Sequence, residues 1–271
     1  MLGRDVAVAA RDVGHEPVVL TRPELDISDR AAVQEAFVEH YPRAVVNCAA
    51  WTNVDGAEEH LDEAKDVNGR AAGNVAAAAA AVGAGVVFPS TDYVFDGSKE
   101  AGYVESDTVG PLSAYGMSKL AGERETAADN ERHWIVRSSW LFGVNGRNFV
   151  DTMLGLAQDR EEVIVVRDQI GCPTYTGHLA AGIMRLLDSE EYGVHHMAGS
   201  GRCSWYDFAV EIFSQAGLET RVLSMTSDML DRPAPRPAYS VLVSEREHPV
   251  LLPDWHEGLA DYLAERAEVS A

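Results

Sequence analysis

Two residues four positions apart, Tyr115 and Lys119, have side chains suited to proton transfer. They lie near the start of a segment whose pattern predicts a helix, and a spacing of four puts both side chains on one helical face. A tyrosine phenol has a pKa of about 10, and a nearby ammonium lowers that pKa because it favours the charged form. The pair therefore indicates a tyrosine that exchanges a proton near neutral pH.

A hydroxyl at the end of a predicted strand adds a third candidate group. Thr91 follows the apolar run of residues 86–90 and begins the stretch Thr-Asp-Tyr-Val-Phe-Asp-Gly. Its hydroxyl can donate a hydrogen bond to a carbonyl oxygen that also receives a proton from a tyrosine. The alternative is a turn in which Ser90 and Thr91 cap free backbone amides. Thr91, Tyr115 and Lys119 together have complementary chemical roles.

Apolar, β-rich runs alternate with alanine-rich segments of helical period in the first half of the chain. The alternation predicts an α/β protein with a Rossmann-like, doubly wound parallel sheet, whose ligands bind beyond the carboxyl ends of the strands. Residue 28, a serine, is the predicted N-cap of the first helix. The predicted strands are residues 17–20, 44–49, 86–90 and 133–138, and the predicted helices are residues 29–40, 57–82 and 111–129.

The second half of the chain has longer loops between its predicted helices. These helices cover residues 149–158, 176–188 and 205–216, and three prolines crowd the segment 233–237. The loss of the strand-helix rhythm predicts a boundary near residue 145. Residues 1–145 would form the sheet domain, and residues 146–271 would mainly form a smaller lobe, with some segments returning to the first domain.

The composition is that of a globular, strongly acidic protein. Its 271 residues include 22 basic and 43 acidic ones, a formal charge of −21, and 46% are hydrophobic. Disordered and collagen-like chains are excluded on this basis. Only Lys65, Lys99 and Lys119 are lysines. An acidic, lysine-poor surface predicts a halophilic protein that works in high salt, where screening relieves self-repulsion; a merely acidic protein is the alternative.

The same composition limits partners and location. A uniformly acidic surface argues against nucleic acid as a partner. The longest uncharged apolar run, residues 75–88, is shorter than the roughly 20 residues that a membrane helix needs. Cys48, Cys172 and Cys203 are far apart with no metal-binding spacing, which favours a reducing cytoplasm and no metal site.

Several blocks of the sequence resemble the extended short-chain dehydrogenase/reductases, and more narrowly the dTDP-4-dehydrorhamnose reductase family. Related dehydratases resemble the chain as well, but they carry an Asp-Glu pair after the strand-end threonine. Here Asp92 is followed by Tyr93, so the second carboxylate is missing and reduction is favoured over dehydration. The blocks that carry the resemblance are residues 25–29, 46–52, 54–55, 90–97, 115–123, 137–140, 148–150, 168–174 and 232–240.

The resemblance implies that a reduced nicotinamide reduces the C4 keto group of dTDP-4-dehydro-L-rhamnose. Tyr115 would protonate the oxygen, Thr91 would hydrogen-bond it, and Lys119 would bind the nicotinamide ribose and lower the pKa of the tyrosine. NADPH is the expected cofactor, with NADH as an alternative, because Arg22 follows the second strand of the family fold, where a guanidinium accepts the adenosine 2′-phosphate. A solvated arginine is the alternative for Arg22.

Further binding residues follow from the same resemblance. Arginine engages phosphate with two parallel hydrogen bonds, so two arginines in the proline-rich segment are the candidates for the substrate diphosphate. A buried core aromatic is the alternative for Trp140. The cofactor would contact Gly3, Arg22, Asp26, Ile27, Ala49, Ala50, Thr52, Tyr115 and Lys119, and the sugar nucleotide would contact Tyr93, Trp140, Arg232 and Arg236.

The sequence departs from the family at its start. Family members begin with a strand and a glycine-rich turn at the cofactor diphosphate. Residues 1–4 resemble the tail of that turn, with Gly3 as its last glycine, so we expect the true start to lie upstream. Two other functions stay open: a non-catalytic nucleotide-binding regulatory protein, and a reductase or epimerase of another nucleotide sugar. The resemblance is also compatible with a homodimer.

Overall fold

A four-stranded parallel sheet forms the centre of the fold, and its strands lie side by side in the order Ala44–Val46, Gly85–Thr91, His133–Ser138 and Gly193–His196. The structure is a computed structural model that describes residues 1–270, and the side chains of residues 1–268. The helices are α1 (Leu2–Asp12), α2 (Arg30–His40), α3 (Gly56–Glu59), α4 (Leu61–Lys65), α5 (Ala71–Ala81), α6 (Ala114–Asp129), α7 (Phe149–Leu156), α8 (Thr176–Leu187), α9 (Trp205–Gln215) and α10 (Trp255–Ser270). The strands are β1 (Ala44–Val46), β2 (Gly85–Thr91), β3 (His133–Ser138), β4 (Leu141–Phe142), β5 (Glu162–Val166), β6 (Ile170–Gly171), β7 (Thr174–Tyr175), β8 (Gly193–His196), β9 (Cys203–Ser204) and β10 (Arg221–Met225).

Helices cover both faces of the central sheet. Val87 of β2 belongs to an apolar cluster with residues of α1 and α8, whereas its neighbour Val86 packs with residues of α2 and α5. Successive residues of a strand point to opposite faces, so one buried strand supplies both layers. The fold is therefore the predicted Rossmann-like, doubly wound α/β fold. Thr91 is paired with Ser138 at the carboxyl ends of β2 and β3.

One strand prediction is wrong, and another is too long. Residues 17–20 form no strand, and Val18 is 59% exposed. Their β-branched residues satisfy strand propensity, but no strand of residues 1–270 pairs with them, and a strand needs a hydrogen-bonding neighbour. The predicted strand 44–49 is shorter and ends at Val46. The fourth strand of the sheet, β8, was not predicted because it contains little apolar sequence and is defined by its pairing with β3.

The helix predictions hold with three corrections. Asp29, rather than Ser28, caps α2, and its carboxylate accepts hydrogen bonds from the amides of Ala31 and Ala32. The predicted helix 57–82 is broken into α3, α4 and α5, with a single π-helical turn at Asp66–Arg70 between the last two. The helix α1 was not predicted. In residues 1–270 no helix is both long enough and apolar enough to cross a membrane.

A second apolar core lies in the later part of the chain. It is built from aliphatic and aromatic side chains, most of them from α7, α9 and α10, and its aromatic members include Phe142, Phe208 and Tyr262. The segment containing α8 and β8 packs on the central sheet instead. The division of the chain into domains at residue 145 stays a prediction.

Candidate active site

The helix α6 carries Tyr115 and Lys119 close to the end of β2. Ser113 caps the helix, and its hydroxyl accepts a hydrogen bond from the amide of Gly116 at 3.1 Å. A Cβ atom on Gly116 would lie 2.3 Å from the carbonyl oxygen of Tyr93. Only glycine allows the helix to approach the turn after β2 this closely.

The Tyr115 side chain faces the residues that follow β2. Its ring meets that of Tyr93 edge-on, with the ring centroids 5.8 Å apart. Burial and the charge of Asp92 raise the pKa of Tyr115 to about 12, and a hydrogen bond with Thr91 opposes this rise. Thr91 and Tyr115 therefore lie side by side, as the sequence predicts. The phenol keeps its proton at neutral pH.

Lys119 is buried against β2, and its effect on Tyr115 differs from the prediction. The side chain is 4% exposed, and Nζ lies 4.0 Å from the centroid of the Phe88 ring on β2. Burial lowers the pKa of Lys119 to about 8, with Glu123 and Cys48 opposing. The expected lowering of the Tyr115 pKa by Lys119 is absent, because the lysine side chain is directed toward β2. Nothing in residues 1–268 forms a hydrogen bond or salt bridge with its ammonium.

A buried ion pair lies one helical turn beyond Lys119. The Glu123 carboxylate accepts hydrogen bonds from Arg137 of β3 at 2.9 Å and 2.7 Å, and from the hydroxyl of Ser90. Both charged side chains are 5% exposed. Tyr115, Lys119 and Glu123 recur every four residues and share one face of α6. The buried carboxylate favours the charged form of the lysine.

The carboxylate of Asp92 lies directly behind Thr91. Its Oδ1 accepts a hydrogen bond from the Thr91 hydroxyl at 3.0 Å, and its Oδ2 accepts one from the Ser240 hydroxyl at 2.6 Å. Burial raises the pKa of Asp92 to about 6. The turn after β2 is thus fixed to a segment near the end of the chain.

Asn68, in the π-helical turn, fixes the loop that contains three predicted cofactor residues, Ala49, Ala50 and Thr52. It accepts a hydrogen bond from the amide of Trp51 at 2.8 Å and donates one to the carbonyl oxygen of the same residue at 3.0 Å. It also donates to the hydroxyl of Ser118 on α6. The loop after β1 is therefore tied to the helix that carries Tyr115.

The predicted glycine contact lies in the first turn of α1. A Cβ atom on Gly3 would lie 3.3 Å from Cβ of Cys48, so the small residue lets the helix pack against the end of β1. Nearby, the side-chain Nδ2 of Asn47 is buried and has no hydrogen-bond partner in residues 1–268. An unpaired buried donor is costly unless a ligand satisfies it.

The residues predicted to contact the adenosine form a separate group. The Arg22 side chain is 85% exposed and lies 4.0 Å from the carboxylate of Asp26. Asp26 accepts hydrogen bonds from the amide and hydroxyl of Ser28, which lower its pKa. The Ile27 side chain packs against the core formed by α2 and α5. In residues 1–268 none of Arg22, Asp26 and Ile27 forms a hydrogen bond with Thr91, Tyr115 or Lys119.

Arg232 and Arg236 converge on one carboxylate, that of Asp55. Arg236 donates to both of its oxygens at 3.1 Å and 3.0 Å, and Arg232 donates to one at 3.4 Å. These contacts lower the pKa of Asp55. Burial raises the pKa of the Tyr93 phenol, and the nearby charge of Arg236 partly offsets this rise. The two arginines therefore lie together, on the same side of the molecule as Tyr93.

Trp140 follows β3 in a strained conformation. Its φ angle is 48°, which is rare for a bulky residue. The ring stacks on that of Trp205 at a centroid distance of 3.6 Å, and a Cβ atom on Gly171 would lie 2.5 Å from it. Trp140 is half-buried, and it packs against the second apolar core without being part of its buried interior.

Sequence reasoning missed the residues that support this site from a distance. Asp55, Asn68, Glu123 and Ser240 were given no role, although all of them contact predicted site residues or their neighbours. For Glu123 a signal was available, since a carboxylate four residues after Lys119 shares its helical face. The other three are defined by pairings between distant parts of the chain.

Comparison with known proteins agrees with this geometry. The family model described as the RmlD substrate binding domain matches residues 1–268. A dTDP-4-dehydrorhamnose reductase of Mycolicibacterium smegmatis is 41% identical over 271 residues, covering 97% of this chain and 82% of that protein. A dTDP-4-keto-6-deoxy-D-glucose reductase of Streptomyces niveus is 41% identical over 246 residues, covering 89% of this chain and 85% of that protein.

A solved structure is similar over almost the whole chain. It is a dTDP-4-dehydrorhamnose reductase of Bacillus anthracis in complex with NADP, with a TM-score of 0.95 and 38% identity. The match covers 97% of this chain and 95% of that one. With the family model spanning residues 1–268 and these relatives above 30% identity, the chain belongs to the dTDP-4-dehydrorhamnose reductase family.

Proposed function

We propose that this protein is an oxidoreductase that uses NADPH to reduce the C4 keto group of dTDP-4-dehydro-L-rhamnose, giving dTDP-L-rhamnose. The observation that carries the proposal is the juxtaposition of Thr91 and Tyr115 at the carboxyl end of β2, with the buried ammonium of Lys119 on the same helical face. A protonated phenol and a hydroxyl beside it suit a carbonyl oxygen that gains negative charge and then a proton. The names of the relatives supply the substrate and the cofactor.

The chain's residues fit a nicotinamide dinucleotide. Nδ2 of Asn47 is a buried donor without a hydrogen-bond partner in residues 1–268, and the buried ammonium of Lys119 lies over the Phe88 ring. Both suit a ligand with hydroxyl and phosphate oxygens. When bound, the cofactor supplies the hydride. Lys119 would hold the nicotinamide ribose, and Arg22, whose exposed guanidinium is accessible, would hold the 2′-phosphate of NADPH, with NADH as the weaker alternative. The remaining contacts would come from Gly3, Asp26, Ile27, Ala49, Ala50 and Thr52.

Tyr115 is the proton donor in this proposal. Its pKa of about 12 keeps the phenol protonated over the physiological range. Its proton passes to the oxygen as the carbonyl becomes an alcohol, and Thr91 stabilises the same oxygen with a hydrogen bond. Only one carboxylate, Asp92, follows the strand-end threonine, which supports reduction rather than elimination of water.

The sugar nucleotide would bind between the two halves of the chain. Arg232 and Arg236 would bind its diphosphate in place of Asp55, because guanidinium groups engage phosphate and carboxylate with the same paired geometry. Tyr93 and Trp140 would flank the sugar. In this arrangement residues 1–145 hold the cofactor, and residues 146–271 hold most of the sugar nucleotide.

The salt adaptation, the cellular location and the oligomeric state of the protein are also part of the proposal. The charge of −21 and the three lysines support a halophilic protein, the three widely spaced cysteines support a cytoplasmic one, and a homodimer is proposed from the family resemblance. If the surface charge is adapted to salt, the midpoint of thermal unfolding rises as KCl is raised from millimolar to molar concentrations. Light scattering in the same buffers measures the oligomeric state.

The name of the Streptomyces niveus relative favours one second candidate, a reductase that acts on another dTDP-4-keto-6-deoxy sugar. Both candidates are tested by following NADPH absorbance with dTDP-4-dehydro-L-rhamnose and with dTDP-4-keto-6-deoxy-D-glucose in high salt. We expect turnover of the first sugar, and its loss in Tyr115→Phe with cofactor affinity retained. Turnover of only the second sugar would favour the second candidate. NADPH binding without turnover of either would favour a regulatory protein.

A further inference from the structure

The hydroxyl of Thr91 has a single proton, and in the structure this proton is already used in a hydrogen bond to Asp92. Oγ1 donates to Oδ1 of Asp92 at 3.0 Å and accepts from the amide of Tyr93 at 3.2 Å. The proposed function requires the same hydroxyl to donate to the substrate oxygen beside Tyr115. One hydroxyl cannot donate to both partners at once, so a second group must control where its proton points.

Asp92 is the group in a position to exert that control. Its side chain is 2% exposed, and its other oxygen accepts a hydrogen bond from Ser240 at 2.6 Å. The titratable side chains that face it are the phenols of Tyr93 and Tyr115 and the thiol of Cys172, and no cation of residues 1–268 forms a salt bridge with it. A buried carboxylate without a cationic partner favours its neutral form, and its pKa rises to about 6.

We propose that Asp92 is a positioning residue whose protonated form donates to Oγ1 of Thr91 and thereby directs the threonine hydroxyl toward the reacting oxygen. The ionised form instead accepts a hydrogen bond from the threonine hydroxyl, which then does not point into the site. The two forms differ by one proton, which the Asp92 carboxylate takes from water or releases to it; Thr91 keeps its own proton, and only the donor direction between the two side chains reverses. The inference rests on the proposed reductase function.

The proposal gives a definite pH dependence. Reduction needs the protonated form of Asp92, so kcat/KM falls tenfold for each pH unit above the pKa of that residue. Ser240 stabilises the ionised form through its hydrogen bond and lowers the Asp92 pKa. Ser240→Ala therefore moves the decline to higher pH. Asp92→Asn removes the decline, because its amide donates permanently to Thr91 while its carbonyl oxygen accepts from Ser240.

The experiment compares kcat/KM from pH 5 to pH 9 for the wild type, Asp92→Asn, Ser240→Ala and Ser139→Ala. Ser139 is a matched control, since its buried hydroxyl donates to the carbonyl oxygen of Cys172 and not to Asp92. We expect its decline to coincide with that of the wild type. Lys119, whose pKa is about 8, loses its charge at higher pH, and this causes a second fall in kcat/KM. We expect this second fall in all four proteins, where it confirms that the active site of each variant is intact.

A second measurement needs no turnover. In protein labelled with ¹³C at the aspartate carboxyl carbons, we expect a resonance that titrates above the usual aspartate range, disappears in Asp92→Asn and moves to higher pH in Ser240→Ala. A decline that survives unchanged in Asp92→Asn, or moves to lower pH in Ser240→Ala, overturns the inference. Absence of turnover in the wild type overturns the proposed function itself, and the resonance then still reports whether Asp92 titrates as stated.

Discussion

Replacing Lys119 by methionine tests the cost of the buried ammonium at the centre of this site. Methionine is close to lysine in length and shape, and it can occupy the same space over the Phe88 ring without a charge. In the proposed reductase the substitution removes the ligand for the nicotinamide ribose, so activity is lost. We expect the folded protein nevertheless to become more stable at neutral pH.

The magnitude follows from the pKa of Lys119, which falls from its usual value of 10.5 to about 8 in the folded protein. Each pH unit of difference between the folded and unfolded values corresponds to about 1.4 kcal/mol. The charge therefore costs up to about 3 kcal/mol of folding free energy, in full below pH 8. Above pH 10.5 the lysine is neutral in both states, and the cost disappears.

The assay is thermal and urea unfolding of the wild type and Lys119→Met at pH 7 and at pH 10.5, followed by circular dichroism in high salt. We expect the variant to unfold about 6–12 °C higher at pH 7, because about 1 kcal/mol corresponds to 2–4 °C in a chain of this size. At pH 10.5 the two proteins should unfold together. Equal stabilities at pH 7, or a less stable variant, would refute the view that Lys119 is held there against its desolvation cost.

Three further substitutions probe the charges around the site. Glu123→Gln leaves Arg137 buried without its carboxylate and should cost about 3 kcal/mol in urea unfolding, and a loss below 1 kcal/mol would show that the pair is dispensable. Arg22→Ser should lower the preference for NADPH over NADH, as a ratio of kcat/KM values, about tenfold, and an unchanged ratio would mean that Arg22 is a solvated arginine. Arg236→Lys loses the paired geometry and should raise KM for the sugar nucleotide about tenfold with kcat retained, whereas a loss confined to kcat would contradict a binding role.

The parts of this protein that the sequence predicts well depend on local spacing. Tyr115 and Lys119 share a helical face because they are four residues apart. Thr91 ends a strand that its own run of apolar residues predicts without reference to other parts of the chain. The parallel sheet follows from the alternation of strands and helices. In each case the physical cause acts over a few neighbouring residues, so pattern and structure coincide.

The errors arise where a distant partner decides the outcome. Residues 17–20 have strand-forming side chains, but no strand of residues 1–270 pairs with them. The spacing of Tyr115 and Lys119 also predicted a lowered tyrosine pKa. Burial and Asp92 raise it instead, because the Lys119 side chain lies against Phe88. A helical spacing fixes which face a side chain occupies, but not the direction of its last few atoms.

The segment 232–240 shows why the site depends on longer-range contacts than the sheet. At its centre, Arg236 pairs with Asp55 across 181 residues of sequence, and at its end Ser240 donates a hydrogen bond to Asp92 across 148. Closing loops of this size costs entropy, which the contacts at both ends must offset. The paired strands of the central sheet are closer along the chain, since paired residues such as Ala44 and Gly85, or Trp134 and Gly193, are fewer than about 60 positions apart. The groups that would bind the diphosphate, and the hydroxyl that donates to Asp92, therefore reach their positions only when the segment 232–240 has packed onto the first half of the chain.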